Sequence, residues 1–229
     1  MRILAIESSA KAASAAVCDE GKLISQYWQN SGLTHSRTLL KMTEDMLSGL
    51  DMTIRDMDLI AAARGPGSFT GIRIGIAAAK GLAWGADKPV CGVSTLEAMA
   101  YHLRDREGII CPVMDARRGQ VYNALFSGGD IPVRLSEDRA ISMQELTLEA
   151  KKNGRTFFLI GDGAEMCYEA MSKDGADVRL APVPVRLQTA WGVAAAAAHG
   201  EISRPGELTP NYIRLSQAER ELMSKKRDK

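Results

Sequence analysis

The sequence predicts an α/β protein of two lobes, the second reduced, and three observations lead there. A strand-rich opening passes into alternating strands and helices. The same order returns in shortened form after about residue 104, and a glycine-rich turn, Gly65 to Gly71, joins an apolar run to an alanine-rich helical stretch. The units are 1–103 and 104–229, with a helix near 189–199 expected to pack back on the first. A chain of 229 residues, 45% hydrophobic and 25% charged, carries enough apolar side chain for a core in each.

The elements follow in order. Arg2 to Ile6 is apolar and β-branched, as a buried strand requires, and ends at Glu7-Ser8-Ser9. Ser14 to Cys18 and Leu23 to Trp28, separated by Asp19-Glu20-Gly21-Lys22, form a hairpin. From Thr34 to Leu50 a helix is expected, because Leu39, Met42, Met46 and Leu50 share one face. Leu59 to Ala63 is the next strand, the helix after the glycine turn runs from near Thr70 to Trp84, and Val90 to Val93 is a strand. Ser94-Thr95-Leu96-Glu97 has the spacing of a capping box, with hydroxyl and carboxylate exchanging bonds with first-turn amides. The second unit begins with strand Ile109 to Met114, the turn Asp115 to Gly119, strand Gln120 to Phe126 and a strand near Val133 to Ile141. A second capping box, Ser142 to Glu145, opens a helix; strand Thr156 to Ile160, a helix from Ala164 to Lys173, a helix from Thr189 to His199 and a charged tail follow.

The 29 Lys and Arg against 28 Asp and Glu leave a formal charge of +1, so the whole chain has no general attraction to nucleic acid or an anionic membrane. Any RNA contact has to be local or supplied by a partner. The four cysteines have no C-x-x-C pair and lie mostly in apolar runs, as buried thiols of a reducing compartment do. With a strand starting at Arg2 no signal peptide is expected, no apolar stretch is long enough to be expected to span a membrane, and the expected location is the cytoplasm.

Gly65-Pro66-Gly67-Ser68-Phe69-Thr70-Gly71 prescribes a tight strand-to-helix turn with open amides. It fits neither familiar phosphate loop: the third Gly comes one residue late for the dinucleotide pattern, and Ile72-Arg73 follows Gly71 where a Walker loop has Lys-Ser/Thr. The two-unit order resembles the actin-like ATPase (ASKHA, ribonuclease H-like) fold shared by actin, sugar kinases and Hsp70. Three segments, Gly65 to Gly75, Gly92 to Glu97 and Met114 to Tyr122, closely resemble the TsaB family of bacterial tRNA threonylcarbamoyladenosine biosynthesis proteins, also called YeaZ.

That resemblance covers most of residues 1 to 126 and thins beyond to Pro210, Tyr212 and Arg214. It implies a non-catalytic subunit that pairs with the catalytic paralogue TsaD, cooperates with the ATPase TsaE, meets tRNA through the complex and forms a homodimer in isolation. The modified base is the adenosine beside the anticodon of tRNAs reading codons that begin with A. ATP and metal then belong on the partner subunits, and no tightly bound cofactor and no membrane contact are expected here. TsaD holds its metal with a His-x-x-x-His pair; the matching region here has His35 with Leu39 four residues on, so no metal is expected. Sugar kinases end the first strand in Asp-x-Gly-Thr/Ser, whereas this chain has Glu7-Ser8-Ser9. Glu7 is then either a vestigial phosphate-loop acid or a structural cap, and ATP affinity should be weak.

The rival readings are an independent ATP-dependent kinase or carbamoyl transferase and a glycoprotease-like hydrolase; no Gly-x-Ser-x-Gly elbow supports the last. On the helix after the turn, Gly71, Gly75 and Ala79 form a stripe with little bulk. It faces either this chain's own sheet or, together with the helix of Met42 and Met46, an equivalent helix pair of a partner. Arg73 adds positive charge at that helix start, where a junction with TsaE is expected. Asp115, Arg117 and Arg118 occupy a turn facing the interlobe cleft, as an ion-pair structure or as a ligand contact. Partner or loop candidates are thus His35, Met42, Met46, Gly65, Gly67, Ser68, Phe69, Thr70, Gly71, Arg73, Gly75 and Ala79; cleft candidates are Glu7, Ser8, Asp115, Arg117 and Arg118.

Overall fold

A computed structural model describes residues 1–214; the basic tail singled out in the sequence lies outside them. The first sheet takes β1 (Arg2–Glu7), β2 (Ala13–Asp19), β3 (Lys22–Gln29), then, after helix α1 (His35–Ser48), β4 (Leu59–Gly65), and, after α2 (Phe69–Ala86), β5 (Val90–Ser94). Its order is β5, β4, β1, β2, β3, with β4 parallel to β1 and β5 and the β1–β2–β3 meander antiparallel. Successive side chains of a strand point to opposite faces, and both faces of the inner strands β1, β2 and β4 are covered, which is why these read as continuous apolar runs, while the edge strand β3 is mostly exposed. Leu4, Ile6, Ile60 and Ala62 meet α1 and α2 on one side. Ile3, Ala5, Leu59 and Ala61 face the other.

Helix α3 (Thr95–Ala100) leads into the second sheet: β6 (Ile109–Asp115), β7 (Gln120–Asn123), β8 (Phe126–Ser127), β9 (Val133–Arg134) and β10 (Arg139–Ser142). Helix α4 (Met143–Asn153), β11 (Phe157–Ile160), α5 (Ala164–Lys173) and β12 (Val178–Leu180) complete it. The path is β10, β7, β6, β11, β12, with β8 also on β6 and β9 on β8. Helix α6 (Ala190–Ala197) then returns to cover the far face of the first sheet, and β13 (Ile202–Ser203) pairs antiparallel with β5. The layers therefore run α1 and α2, first sheet, α6 with α3, second sheet, α4 and α5. Helices α3 and α6 cross at Gly192, where a Cβ would lie 2.2 Å from the Ala98 carbonyl oxygen.

Several expectations need correction. The strand expected over Gln120 to Phe126 is two pieces, because Asn123 turns its amide onto the Pro112 and Ala124 carbonyls and Pro112 has no N–H for the ladder. The strand near Val133 to Ile141 is also two, separated where Asp138 takes Arg134 and Ser94 as partners. Only half of the first capping box forms: the Ser94 hydroxyl accepts the Glu97 amide at 3.3 Å, but the Glu97 carboxylate goes to Arg134 at 3.1 Å. The Ser142–Glu145 box is complete. Strands β12 and β13, too short to show in the sequence pattern, were not anticipated. No helix among the described residues is long and apolar enough to cross a membrane. All four cysteines are buried free thiols.

Candidate functional site

The end of β1 and the glycine turn after β4 meet at the bottom of the cleft between the lobes. Here the glycines have a geometric cause. A Cβ at Gly67 would sit 2.3 Å from the Ser9 carbonyl oxygen, one at Gly71 2.1 Å from that of Ser8, and one at Gly75 2.3 Å from Ser8 Oγ. The Ser68 amide donates to Ser9 O at 2.6 Å, and Ser8 Oγ donates to Gly71 O at 2.9 Å. Close approach of a backbone was the right inference, but the backbone is this chain's own.

The proposed partner stripe is corrected accordingly. Gly71, Gly75 and Ala79 point at the first sheet, and Ala79 is fully buried. Met42 and Met46 belong to the same core. The face of α2 turned to solvent carries another small-residue row, Ala77, Gly81 and Gly85, with nothing within 4 Å of a Cβ at either glycine. Beside it stand Trp84, 62% exposed, and on α1 Leu40, 52% exposed.

Glu7 is wholly buried. Its Oε1 accepts the Ser9 amide at 2.6 Å, while its Oε2 has no protein partner. Burial pushes this carboxyl up to about 7, against the opposing pull of the Ser9 hydrogen bonds, and the Asp162 charge adds to the rise. Asp162 accepts Gln188 Nε2 at 3.0 Å and lines one cavity with Ser9, so the end of β1 faces the turn before α5 across the lobe junction. His35, at the start of α1, donates from Nε2 to the Ala10 carbonyl at 2.8 Å. Leu39 is in the core, so this helix face offers one imidazole and no second ligand. His102, just past the end of α3, sits 2.9 Å from Thr189 Oγ1 against the Trp191 ring, and burial pushes it down to about 4.

At the cleft mouth, Phe69 stacks on Tyr212 with centroids 4.1 Å apart and planes 12° from parallel. The Arg73 guanidinium lies 4.1 Å from the Phe69 ring centre, and its Nε donates to the Tyr212 hydroxyl at 2.8 Å. Lys80 holds the Gly206 and Leu208 carbonyls, each at 3.2 Å, and the Asn211 amide donates to Arg64 O at 2.7 Å. Residues 204–214 thus form a strap along α2. It ends where Arg214 donates to Ala116 O at 2.9 Å. Arg73, expected as a free charge at the helix start, is engaged by this strap. Sequence reasoning missed the clamp because its partners are 139 residues apart and no periodicity links them.

Asp115 accepts the Arg117 amide at 2.7 Å, and Arg117 and Arg118 adopt left-handed φ of 63° and 55°. No ion pair joins Asp115 to either arginine among the described residues; the turn is held by the Asp115 carboxylate on the Arg117 amide and by backbone bonds between Ala116, Arg117 and Gln120. The cavity of about 500 Å³ between the lobes is lined by Ser9, Lys11, Phe69, Asp115, Arg117 and Arg214, among others.

Two sheets with helices between and outside them, and a glycine turn leaving a central strand of the first, define a protein of the actin-like ATPase fold. A family model described as tRNA N6-adenosine threonylcarbamoyltransferase, TsaD, matches residues 29–220. The tRNA threonylcarbamoyladenosine biosynthesis protein TsaB of Bacillus subtilis is 32% identical, with 96% of each chain covered. YeaZ from Pseudomonas aeruginosa superposes with a TM-score of 0.79 at 25% identity, over 92% of this chain and 99% of that one. The (R)-2-hydroxyglutaryl-CoA dehydratase component A of Acidaminococcus fermentans shares the fold alone, with a TM-score of 0.51 at 11% identity over 87% and 97%. The chain belongs to the TsaB (YeaZ) family of tRNA threonylcarbamoyladenosine biosynthesis proteins.

Proposed function

We propose that this chain serves tRNA threonylcarbamoyladenosine formation as a non-catalytic subunit. It pairs with a TsaD-type transferase, cooperates with TsaE, meets tRNA within that complex and self-associates when alone. The observation that carries the reading is the bare face shared by α1 and α2. Leu40, Trp84 and the row Ala77, Gly81 and Gly85 put apolar and bulk-free surface in solvent, where another pair of helices can approach closely. The cleft chemistry supports the same division of labour: Ser8 and Ser9 carry no glycine for a phosphate approach, Glu7 is enclosed, and His35 stands without a second ligand. ATP and metal are assigned to the partner subunits and cytoplasm to the location.

The rival is an independent kinase or carbamoyl transferase, favoured by the match to a transferase family model. Purified chain incubated with ATP, Mg²⁺ and tRNA separates the two. The subunit reading expects neither transfer nor metal-dependent ATP turnover until TsaD and TsaE are added, and it expects co-purification with TsaD. Activity of the lone chain that survives repurification and vanishes in Glu7→Ala overturns it.

A further inference from the structure

We infer that the mouth of the interlobe cleft contacts an unpaired stretch of RNA directly, with an aromatic platform for a base on one lip and arginines for phosphates on the other. The inference rests on the reading above and deepens it, since it gives this subunit an RNA contact of its own.

With a formal charge of +1, the chain attracts RNA only through local arrangement. The first lip is the Phe69–Tyr212 stack, with Tyr212 38% exposed and Arg73 alongside. The second lip is the turn after β6, where Arg117, Arg118 and Gly119 take three successive left-handed conformations and both arginines are exposed. Non-glycine residues adopt that backbone at a cost, and such strain concentrates where presentation of a side chain matters. Lys11 is exposed on the first lobe, and none of Lys11, Arg117 and Arg118 forms an ion pair among the described residues. Arg214 ties the strap to the arginine turn and lines the same cavity as Phe69 and Arg117. Asp115 and Asp162 also line it, so Lys11, Arg117 and Arg214 outnumber the carboxylates even before Arg73 and Arg118 are added.

An exposed aromatic ring, here that of Tyr212, beside unpaired cations is the chemistry of single-stranded nucleic acid: bases stack and phosphates take the charges. A duplex, with its bases already stacked on one another, has no base for Tyr212. An acidic peptide would use the arginines and make no use of the exposed ring of Tyr212.

The test is fluorescence anisotropy of the full chain with a labelled RNA hairpin carrying an unpaired loop, with a fully paired RNA duplex and heparin as competitors. The hairpin should bind in preference to both. Arg118→Glu, at an exposed side chain with no hydrogen bond or ion pair among the described residues, should weaken binding about tenfold at low salt and flatten the salt dependence by about one phosphate contact. Tyr212→Ala should weaken the hairpin and leave the duplex unmoved, whereas Tyr212→Phe should retain binding; thermal midpoints of all three variants check the fold. Equal competition by heparin or duplex, with no effect of Tyr212→Ala, makes this a general anion surface and overturns the proposal. If the lone chain does not bind, the same variants are measured on tRNA bound to the assembly with TsaD, where unchanged affinity equally overturns it. A chain that still pairs with TsaD and restores modification shows that only the RNA contact has failed; a chain that does neither has lost the underlying reading.

Discussion

Glu7 is an acid whose chemistry departs far from its type. A carboxyl held near 7 in the folded chain and near 4.5 in the unfolded one binds more protons when folded between those values. Its contribution is therefore greatest in acid and is lost as pH rises through the folded value. The shift corresponds to about 3 kcal/mol of lost stability by pH 8. Glu7→Gln, which keeps the shape and removes the charge, should raise urea stability above pH 7 by about 2–3 kcal/mol and flatten the pH profile between 4.5 and 7; identical profiles would mean that the carboxylate is solvated through a route the packing does not provide. The glycines allow a second comparison. Gly71→Ala drives a Cβ into the Ser8 backbone, while Gly75→Ala meets only the Ser8 hydroxyl, which can rotate. Gly71→Ala should cost about 3 kcal/mol and Gly75→Ala about 1 kcal/mol. Equal losses in chemical denaturation would show that the two contacts yield alike.

Helix α2 has two small-residue rows with opposite duties, and the sequence displays both without saying which is which. Gly71, Gly75 and Ala79 recur at the same spacing as Ala77, Gly81 and Gly85, so spacing alone cannot choose between them; the choice comes from Ser8, 63 residues away, whose hydroxyl bonds Gly71 O. Ala79→Leu should then destabilise the fold itself by about 1–3 kcal/mol. Gly81→Leu should leave the lone subunit slightly more stable, by up to about 1 kcal/mol, since Leu is the better helix former, while blocking close approach of a second helix pair. Size-exclusion chromatography with TsaD reads the association and calorimetry the fold; retained pairing in Gly81→Leu would move the interface off this face. The long elements, both turns and the family motifs were legible because local periodicity and glycine spacing write them. The strap 204–214, the split strands and the stack of Phe69 on Tyr212 were not, because each depends on residues distant in sequence. Arg73→Ala should release one end of that strap, costing about 1 kcal/mol and speeding hydrogen exchange at the Asn211 amide. Unchanged protection there would mean that Lys80 and the backbone hold the strap unaided.

Across the whole molecule, the lobes are interleaved rather than joined in series. Helix α6 follows the second sheet in sequence, yet it supplies most of one cover of the first, with Ala190, Val193, Ala194, Ala196 and Ala197 buried against Ile3, Ala5, Leu59 and Ala61. The Ser14 hydroxyl in β2 accepts the Ala190 amide at 3.0 Å, and the Gln26 side chain in β3 accepts that of Trp191 at 2.9 Å, so even the first turn of α6 depends on the first lobe. Truncation after residue 188 therefore removes one side of a core in which each Val, Leu or Ile burial is worth about 1.5–3 kcal/mol, and several together exceed the roughly 5–15 kcal/mol by which a domain is stable. Residues 1–188 should show no cooperative urea transition by circular dichroism, while residues 1–214 should unfold as sharply as the full chain. If 1–188 unfolds cooperatively with a near-native midpoint, the first sheet closes without α6, and a boundary near residue 104 divides the chain in energy as well as in sequence.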